Sequence, residues 1–337
     1  MALSQRLRWG LVIALPTVWA FGSIGYGLWQ LVRPLTRVSS RAAIGQVDPV
    51  ESTEVSGLFN YGGSTAWAPL RPQLEAALAE VHPGFELRYV QPAIAPPGSR
   101  VGVRMLIEDD LTFAQTSHPL GAEDYDLARA SEVQLSEIRV AIDGIAVVVH
   151  PDLDIEGLTI AQMRDIYSGR VRNWQQVGGP DRKIVPFSRP TSVGGTVSFF
   201  VEDILGDRPL STHVRLVPTT TQALQNLRDE PGGIYYASAP VVVPQCGVKA
   251  IPIGREGSQW VHPAQQPPVA PETCPTQRDR LDLAAIRSGE YPLTRNLYLV
   301  IGDRTVEAER AGKTFAEFIL SDRGQHLVTE AGFVAIR

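Results

Sequence analysis

Two rhythms of apolar and polar positions run along most of this chain. Leu58-Phe59-Asn60-Tyr61 reads as a short strand that ends in the turn Gly62-Gly63-Ser64-Thr65. Trp67, Leu70, Leu74, Leu78 and Val81 then recur at close to helical spacing, with Pro69 in the expected first turn and His82-Pro83-Gly84 as the stop. Phe85 to Val90 reads as a second strand. Strand, glycine turn, helix and strand in that order are the grammar of an α/β domain. The same grammar continues. Strands are expected at Thr112–Thr116, Ile145–Val149, Ile184–Phe187, Gly233–Ala237 and Leu297–Ile301. The unbroken apolar run at Ile145–Val149 marks a strand buried on both faces. Thr159 and Gln162 form a capping box that opens a helix closed by Gly169. Val197, Phe200, Val201 and Ile204 predict a helix after the loop Ser188–Thr196. Phe315, Phe318 and Ile319 mark a late helix, and Ser321 is placed to cap a last one running to Gly332. The proline-rich stretch Val261–Thr276 has no period and reads as a surface loop.

The first segment follows neither rhythm. From Trp9 to Val32 there is no charged residue, and at 1.5 Å per residue such a helix would cross a bilayer core of roughly 30 Å. Trp9, Tyr26 and Trp29 lie near its ends, where aromatic belts form. A cleaved signal peptide is the rival reading. Its apolar region is shorter, it ends in a small-residue site, and no A-x-A pattern closes this run. An uncleaved anchor is therefore expected over 9–32, after a tail at 1–8 and before a polar linker at 33–55. Arg6 and Arg8 before the span nearly balance Arg33, Arg37 and Arg41 after it, so charge alone does not orient it.

Composition narrows the remainder. With 337 residues, 44% hydrophobic and 20% charged, the chain has the make-up of a globular protein with one large two-lobed unit or two ordinary domains. A formal net charge of −5 argues against a nucleic-acid surface. The two cysteines, Cys246 and Cys274, lack CxxC spacing, so neither a metal nor a redox motif is supported. In an exported domain they could close one disulfide, and the alternative of two separate buried thiols stays open. The histidines show no paired ligand spacing, there is no Walker loop, and no cofactor is called for.

The candidate chemistry lies in turns rich in Gly, Ser and Thr. Gly62–Thr65 and Ser188–Thr196 each sit between an expected strand and an expected helix, and Ser117-His118-Pro119 follows a strand. A helix start offers unpaired N–H groups and a partial positive charge, which suit an oxyanion. Hydroxyls add neutral donors, and Arg189 adds a planar cation. Each turn alone is ordinary helix capping. An enzyme is the rival class: Gly62-Gly63-Ser64-Thr65-Ala66 lacks the last glycine of G-x-S-x-G, and a lone His118 is more commonly a packing or surface residue.

From about Ser56 to Arg337 the sequence resembles the phosphate-binding component of Pst-type ABC transporters, a type 2 periplasmic-binding-protein fold. The most specific stretch is IYSGRVRNWQQVGGPD, from Ile166 to Asp181. It is supported by GGSTAWAPL at 62–70, GSRVGV at 98–103, PGGIYYAS at 231–238 and FAEFILSDRGQHLVTEAGFV at 315–334. The resemblance implies an α/β fold of two lobes around a ligand cleft, with lobe 1 at 56–149 plus 291–337 and lobe 2 at 150–290. Crossing strands near Ile145–Val149 and Leu297–Ile301 would act as the hinge. It implies oxyanion contacts from Ser64, Thr65 and the backbone at Ala66, from Ser99 and Ser117, from Arg189, and from Ser192, Gly194, Gly195 and Thr196. Ser117 stands where family members carry a carboxylate, Gly194 where a serine is usual, and the loop around Ser192 is one residue longer. A carboxylate accepts the proton of HPO4²⁻ and repels sulfate, so discrimination between the two is expected to be weak here. Asn173-Trp174 reads as structural.

The expected protein is thus a monomeric, membrane-tethered, extracytoplasmic solute-binding protein. It would take inorganic phosphate or a similar oxyanion and hand it to ABC permease subunits. A membrane-anchored anion sensor or scaffold and a sulfate-like binder are the alternatives. The anchor is directly testable: the full chain is expected to need detergent, with an N-terminus that precedes Trp9. A mature N-terminus beyond Val32, found by N-terminal sequencing of the exported protein, would contradict it.

Overall fold

The computed structural model describes residues 55–257, 259–274 and 276–337. The expected tail, membrane span and linker up to residue 54 lie outside the described residues. Among the described residues no helix is long and apolar enough to cross a membrane.

The elements follow in order: β1 (Gly57–Gly63), α1 (Arg71–Val81), β2 (Phe85–Tyr89), α2 (Ser99–Ile107), β3 (Phe113–Thr116), α3 (Ala122–Ala130) and β4 (Leu135–Val149). Next come β5 (Leu158–Thr159), α4 (Ile160–Tyr167), β6 (Val185–Ser188), α5 (Thr196–Phe199), β7 (Arg215–Leu216), α6 (Thr220–Asp229), β8 (Gly233–Ser238) and α7 (Ala239–Val242). The chain ends with β9 (Lys249–Ala250), β10 (Ile253–Gly254), α8 (Leu283–Ser288), β11 (Thr294–Gly302), α9 (Val306–Leu320) and α10 (Asp322–Glu330). The main sheet runs β2-β1-β3-β11-β4-β8-β6-β7, with β9 beside the end of β4; β5 and β10 form a small separate pair. β1 lies parallel to β2 and β3, β6 lies parallel to β7 and β8, and the pairings of β11 and β4 are antiparallel.

Two apolar centres fill this frame. One joins Phe59, Tyr61, Trp67 and Phe113 on β1, β3 and the turn after β1 to Phe315 and Ile319 of α9. A smaller cluster of α2 and α3 residues, including Val103, Leu106 and Ala128, covers the opposite face of the same strands. The other centre gathers Ile145–Val149 with Tyr167, Trp174, Phe187, Phe200 and Tyr236. The fold is therefore mixed α/β, as the sequence pattern predicts, with two lobes, as the resemblance implies. α2 can lie close to the end of β1 because Gly102 has no side chain; a Cβ there would stand 2.4 Å from the Cα of Gly63. Cys246 and Cys274 are joined, with Cα atoms 5.7 Å apart.

Two expectations need correction. The run Ile145–Val149 is only the end of a strand that starts at Leu135. Its first part, Leu135–Arg139, mixes Leu and Ile with Ser, Glu and Arg and is nowhere fully buried, so it carried no buried-strand signal. The helix expected from about Trp67 splits into a tight turn at Thr65–Trp67 and α1 from Arg71. Pro69 and Pro72 lack the N–H that a continuous helix would use there. The expected hinge strands are each packed inside one centre, Ile145–Val149 in the second and Leu297–Ile301 in the first. Leu297, Leu299 and Ile301 are packed inside the first centre, and β11 leaves that centre at its start, where Ile145 N–H donates to Leu293 O at 2.8 Å.

That crossing holds a buried ion pair. Asp143 of β4 and Arg295 of β11 are register partners. Arg295 donates from Nε and Nη2 to Asp143 Oδ2 at 3.0 and 2.9 Å, and the Ser238 hydroxyl donates to Oδ1 at 2.8 Å. Burial pushes the carboxyl up and the guanidinium down, and their contact opposes both shifts. The pair ties the end of β8 to the strands that run between the two centres. Removing one partner strands a charge out of water, so Arg295→Leu should lower stability by about 3–5 kcal/mol, whereas Asp143→Leu/Arg295→Leu should lose less. Urea unfolding checks this. A loss below about 1 kcal/mol for the single variant would show that the pair carries no structural role.

Candidate functional site

In sheets with parallel strands, ligands sit beyond the carboxyl ends of the strands. Here those ends converge. Ser64 follows β1, Ser117 follows β3, Arg189 follows β6 and Ser238 closes β8. Between them lies a cavity of about 340 Å³, lined by Thr65, Ala66, Arg189, Gly194, Thr196, Tyr236 and Ser238 among others, with no carboxylate in its lining.

Arg189 crosses this cavity. Its Nη1 donates to Thr65 Oγ1 at 3.3 Å, its Nη2 to Pro97 O at 2.7 Å and its Nε to Pro218 O at 3.2 Å. Thr65 and Pro97 stand on the first-centre side and Pro218 on the second. All three partners are neutral. Burial pulls the guanidinium below its ordinary value, although it stays a cation at any physiological pH. A partly buried guanidinium with only hydroxyl and carbonyl acceptors favours an incoming anion.

The turn after β1 is braced from behind. The Arg71 guanidinium lies 3.8 Å from the Tyr89 ring centre, and its Nη2 donates to Ser64 O at 2.8 Å. Ser64 Oγ accepts from Ala66 N at 3.3 Å and donates to Ser117 Oγ at 2.8 Å. The Ser117 N–H in turn donates to Ser99 Oγ at 3.1 Å. Ser64, Ser99 and Ser117 are thus a buried hydroxyl cluster whose partners are one another.

The structure divides the expected site residues into three groups. Thr65, Ala66, Arg189, Gly194 and Thr196 line the cavity. Ser64, Ser99, Ser117 and Gly195 lie behind its wall. Gly195 is pressed onto the serines: a Cβ there would be 2.7 Å from Ser99 Oγ and 3.0 Å from Ser117 Oγ. The neighbouring seam is as tight, since a Cβ on Gly98 would be 2.1 Å from Val193 O. The loop Pro190–Gly195 lays its backbone across the start of α2, next to Ser99 and Arg100. Ser192 is not brought to the cavity; it sits exposed in the tight turn Thr191–Val193.

Several lining residues were not anticipated. The Tyr236 hydroxyl is 2.7 Å from Ser188 Oγ, its ring stacks on Phe200 at 3.7 Å, and the Tyr235 hydroxyl is 3.1 Å from Thr220 Oγ1. Burial raises both phenols, so they act as neutral hydroxyls. Tyr235, Tyr236 and Ser238 belong to PGGIYYAS, a stretch whose position at a strand end was the available signal. Among the described residues no group of three or more His, Cys, Asp or Glu comes together as a metal site.

Residues 48–323 match the model of a family described as the PBP superfamily domain. The chain is 25% identical over 286 residues to the phosphate-binding protein PstS of Staphylococcus haemolyticus, covering 84% of this chain and 82% of that one. Its likeness to the PstS of Staphylococcus epidermidis is 24% over 288 residues, covering 85% and 81%. Among solved structures, a candidate phosphate ABC transporter substrate-binding protein with bound phosphate from Clostridium perfringens superposes with a TM-score of 0.65 at 22% identity. That match covers 83% of this chain and 100% of the other. An ABC-type phosphate transport receptor from Vibrio cholerae gives a TM-score of 0.58 at 23% identity, with coverages of 83% and 100%. At these identities the structures speak for the fold.

Proposed function

The chain belongs to the PBP superfamily, and on that premise we propose that it is an extracytoplasmic solute-binding protein whose cleft captures a tetrahedral oxyanion, phosphate foremost, for ABC-type import. The observation that carries this reading is Arg189, a cation spanning the cavity with three neutral partners. Thr65 and Thr196 stand around it as neutral donors, and the lining holds no carboxylate. The phosphate-binding names of the relatives point to the same ligand class.

In this reading the lobes are 56–149 plus 291–337 and 150–290, and they close about β4 and β11. Ser64 holds the Ala66 N–H and turns the backbone toward the ligand. Ser99, Ser117 and Gly195 position the wall rather than touch the anion. Residues 9–32 tether the protein, as a monomer, to the membrane from which permease subunits take the anion. Without an acceptor carboxylate at the cavity, phosphate and sulfate are separated weakly.

A charge-assisted hydrogen bond contributes about 1.5–3 kcal/mol. Arg189→Ala should therefore weaken phosphate binding by about tenfold to a few hundredfold, while the urea midpoint stays close to wild type. Titration calorimetry of the full chain against phosphate and sulfate checks this. Unchanged affinity in the variant would remove Arg189 from the site. Wild-type protein that binds no tetrahedral anion would favour the sensor or scaffold alternative.

A further inference from the structure

A second side-chain contact joins the two sides of the cleft beside Arg189. His118 directly follows Ser117 at the end of β3, on the side of the first apolar centre. Glu202 lies in the helical turn Phe200–Ile204 that extends α5, and Phe200 and Ile204 belong to the second centre. His118 Nε2 stands 2.8 Å from Glu202 Oε2, and His118 Nδ1 stands 2.8 Å from Pro119 O. A carbonyl oxygen only accepts, and so does an ionised carboxylate. A neutral imidazole has a single N–H to give. Both short contacts are satisfied together when both ring nitrogens carry protons, so the geometry is that of an imidazolium.

Acidic side chains stand around the ring. Glu202 and Asp203 face the ring from the second side. On the first side Glu137 of β4 accepts from Leu120 N at 2.6 Å, with Asp124 of α3 beyond it. Asp207 stands behind Asp203. Arg100, the nearby cation on α2, is held by Glu123 at 3.0 Å. Burial raises the carboxyls of Glu137 and Asp203, and the His118 charge opposes the rise in each. The imidazolium is thus a charge that carboxylates on both sides of the seam share.

We propose that His118 and Glu202 are a proton-dependent latch that positions the two sides of the cleft, so that oxyanion affinity is higher when His118 is protonated. The inference rests on the oxyanion reading for its effect on affinity, but the latch itself does not require a ligand. Its sign follows from the contacts. The latch is present when both ring nitrogens carry protons and is lost when the ring gives one up. The pair is partly exposed, with side-chain exposures of 19% and 45%, so the effect should be modest, about two- to fivefold in affinity.

Two readouts on the full chain separate the latch from the ligand. Spin labels at Arg129→Cys and Arg208→Cys, one on each side of the cleft, report the separation without any anion. The distance distribution should lengthen between about pH 5.5 and pH 8.5, whereas His118→Gln and Glu202→Gln should be long at both. Sulfate affinity is then measured over the same range, because sulfate itself does not titrate there. It should fall about two- to fivefold with rising pH in wild type and stay flat in His118→Gln. Distances that neither pH nor either variant moves would overturn the latch, even if sulfate binds. Distances that respond as expected in a chain that binds no tetrahedral anion would uphold the latch and sink the oxyanion reading. Wild-type sulfate affinity that is independent of pH would overturn the coupling to the site.

Discussion

A guanidinium partly removed from water must be compensated by its surroundings, and two arginines of this chain meet that demand in opposite ways. Arg295 is compensated within the protein. Asp143 lies opposite it in the sheet, and the carboxylate is further held by Ser238. Arg189 is given only hydroxyl and carbonyl oxygens, drawn from both sides of a cavity without acids. The first arrangement fixes a frame. The second leaves a charge for which the described residues provide no counter-ion, and the proposed function follows from that difference.

The frame makes the second arrangement possible. β4 runs unbroken from one apolar centre into the other, so residues far apart in sequence are set on a single sheet whose parallel strands end at one cavity. The Asp143–Arg295 pair sits where that strand passes between the centres. Through Ser238 it anchors one wall of the cavity as well. Close backbone packing at Gly98 and Gly195 sets the opposite wall, leaving the buried serines to shape the turn while Thr65, Thr196 and Arg189 face the space.

Much of this was legible in the sequence because it rests on local rules. The capping box at Thr159 and Gln162 is present with both reciprocal hydrogen bonds, and Ser321 caps α10 through Gly324 N. The apolar run at Ile145–Val149 is a buried strand, and the turns around Thr65 and Thr196 do meet at one cavity. What escaped depends on the third dimension. Leu135–Arg139 mixes Leu135 and Ile138 with Ser, Glu and Arg, and its exposed residues Ser136 and Arg139 fall on opposite faces, so no clean alternation showed that β4 continued into it. Ser99 and Ser117 have the chemistry of ligand contacts, and only the path of the loop Arg189–Gly195 shows them covered. Tyr235 and Tyr236 were visible as strand residues, but their role at the wall depends on which strand ends lie side by side.

The central claim is that Arg189 is the charge an oxyanion meets, and a crystal structure of the full chain grown with saturating phosphate tests it most directly. One tetrahedral anion is expected within hydrogen-bonding distance of the Arg189 guanidinium and of the Thr65 and Thr196 hydroxyls, in the cavity between the strand ends. An anion bound elsewhere, or a cavity without one while Arg189 keeps only Thr65, Pro97 and Pro218 as partners, would contradict it.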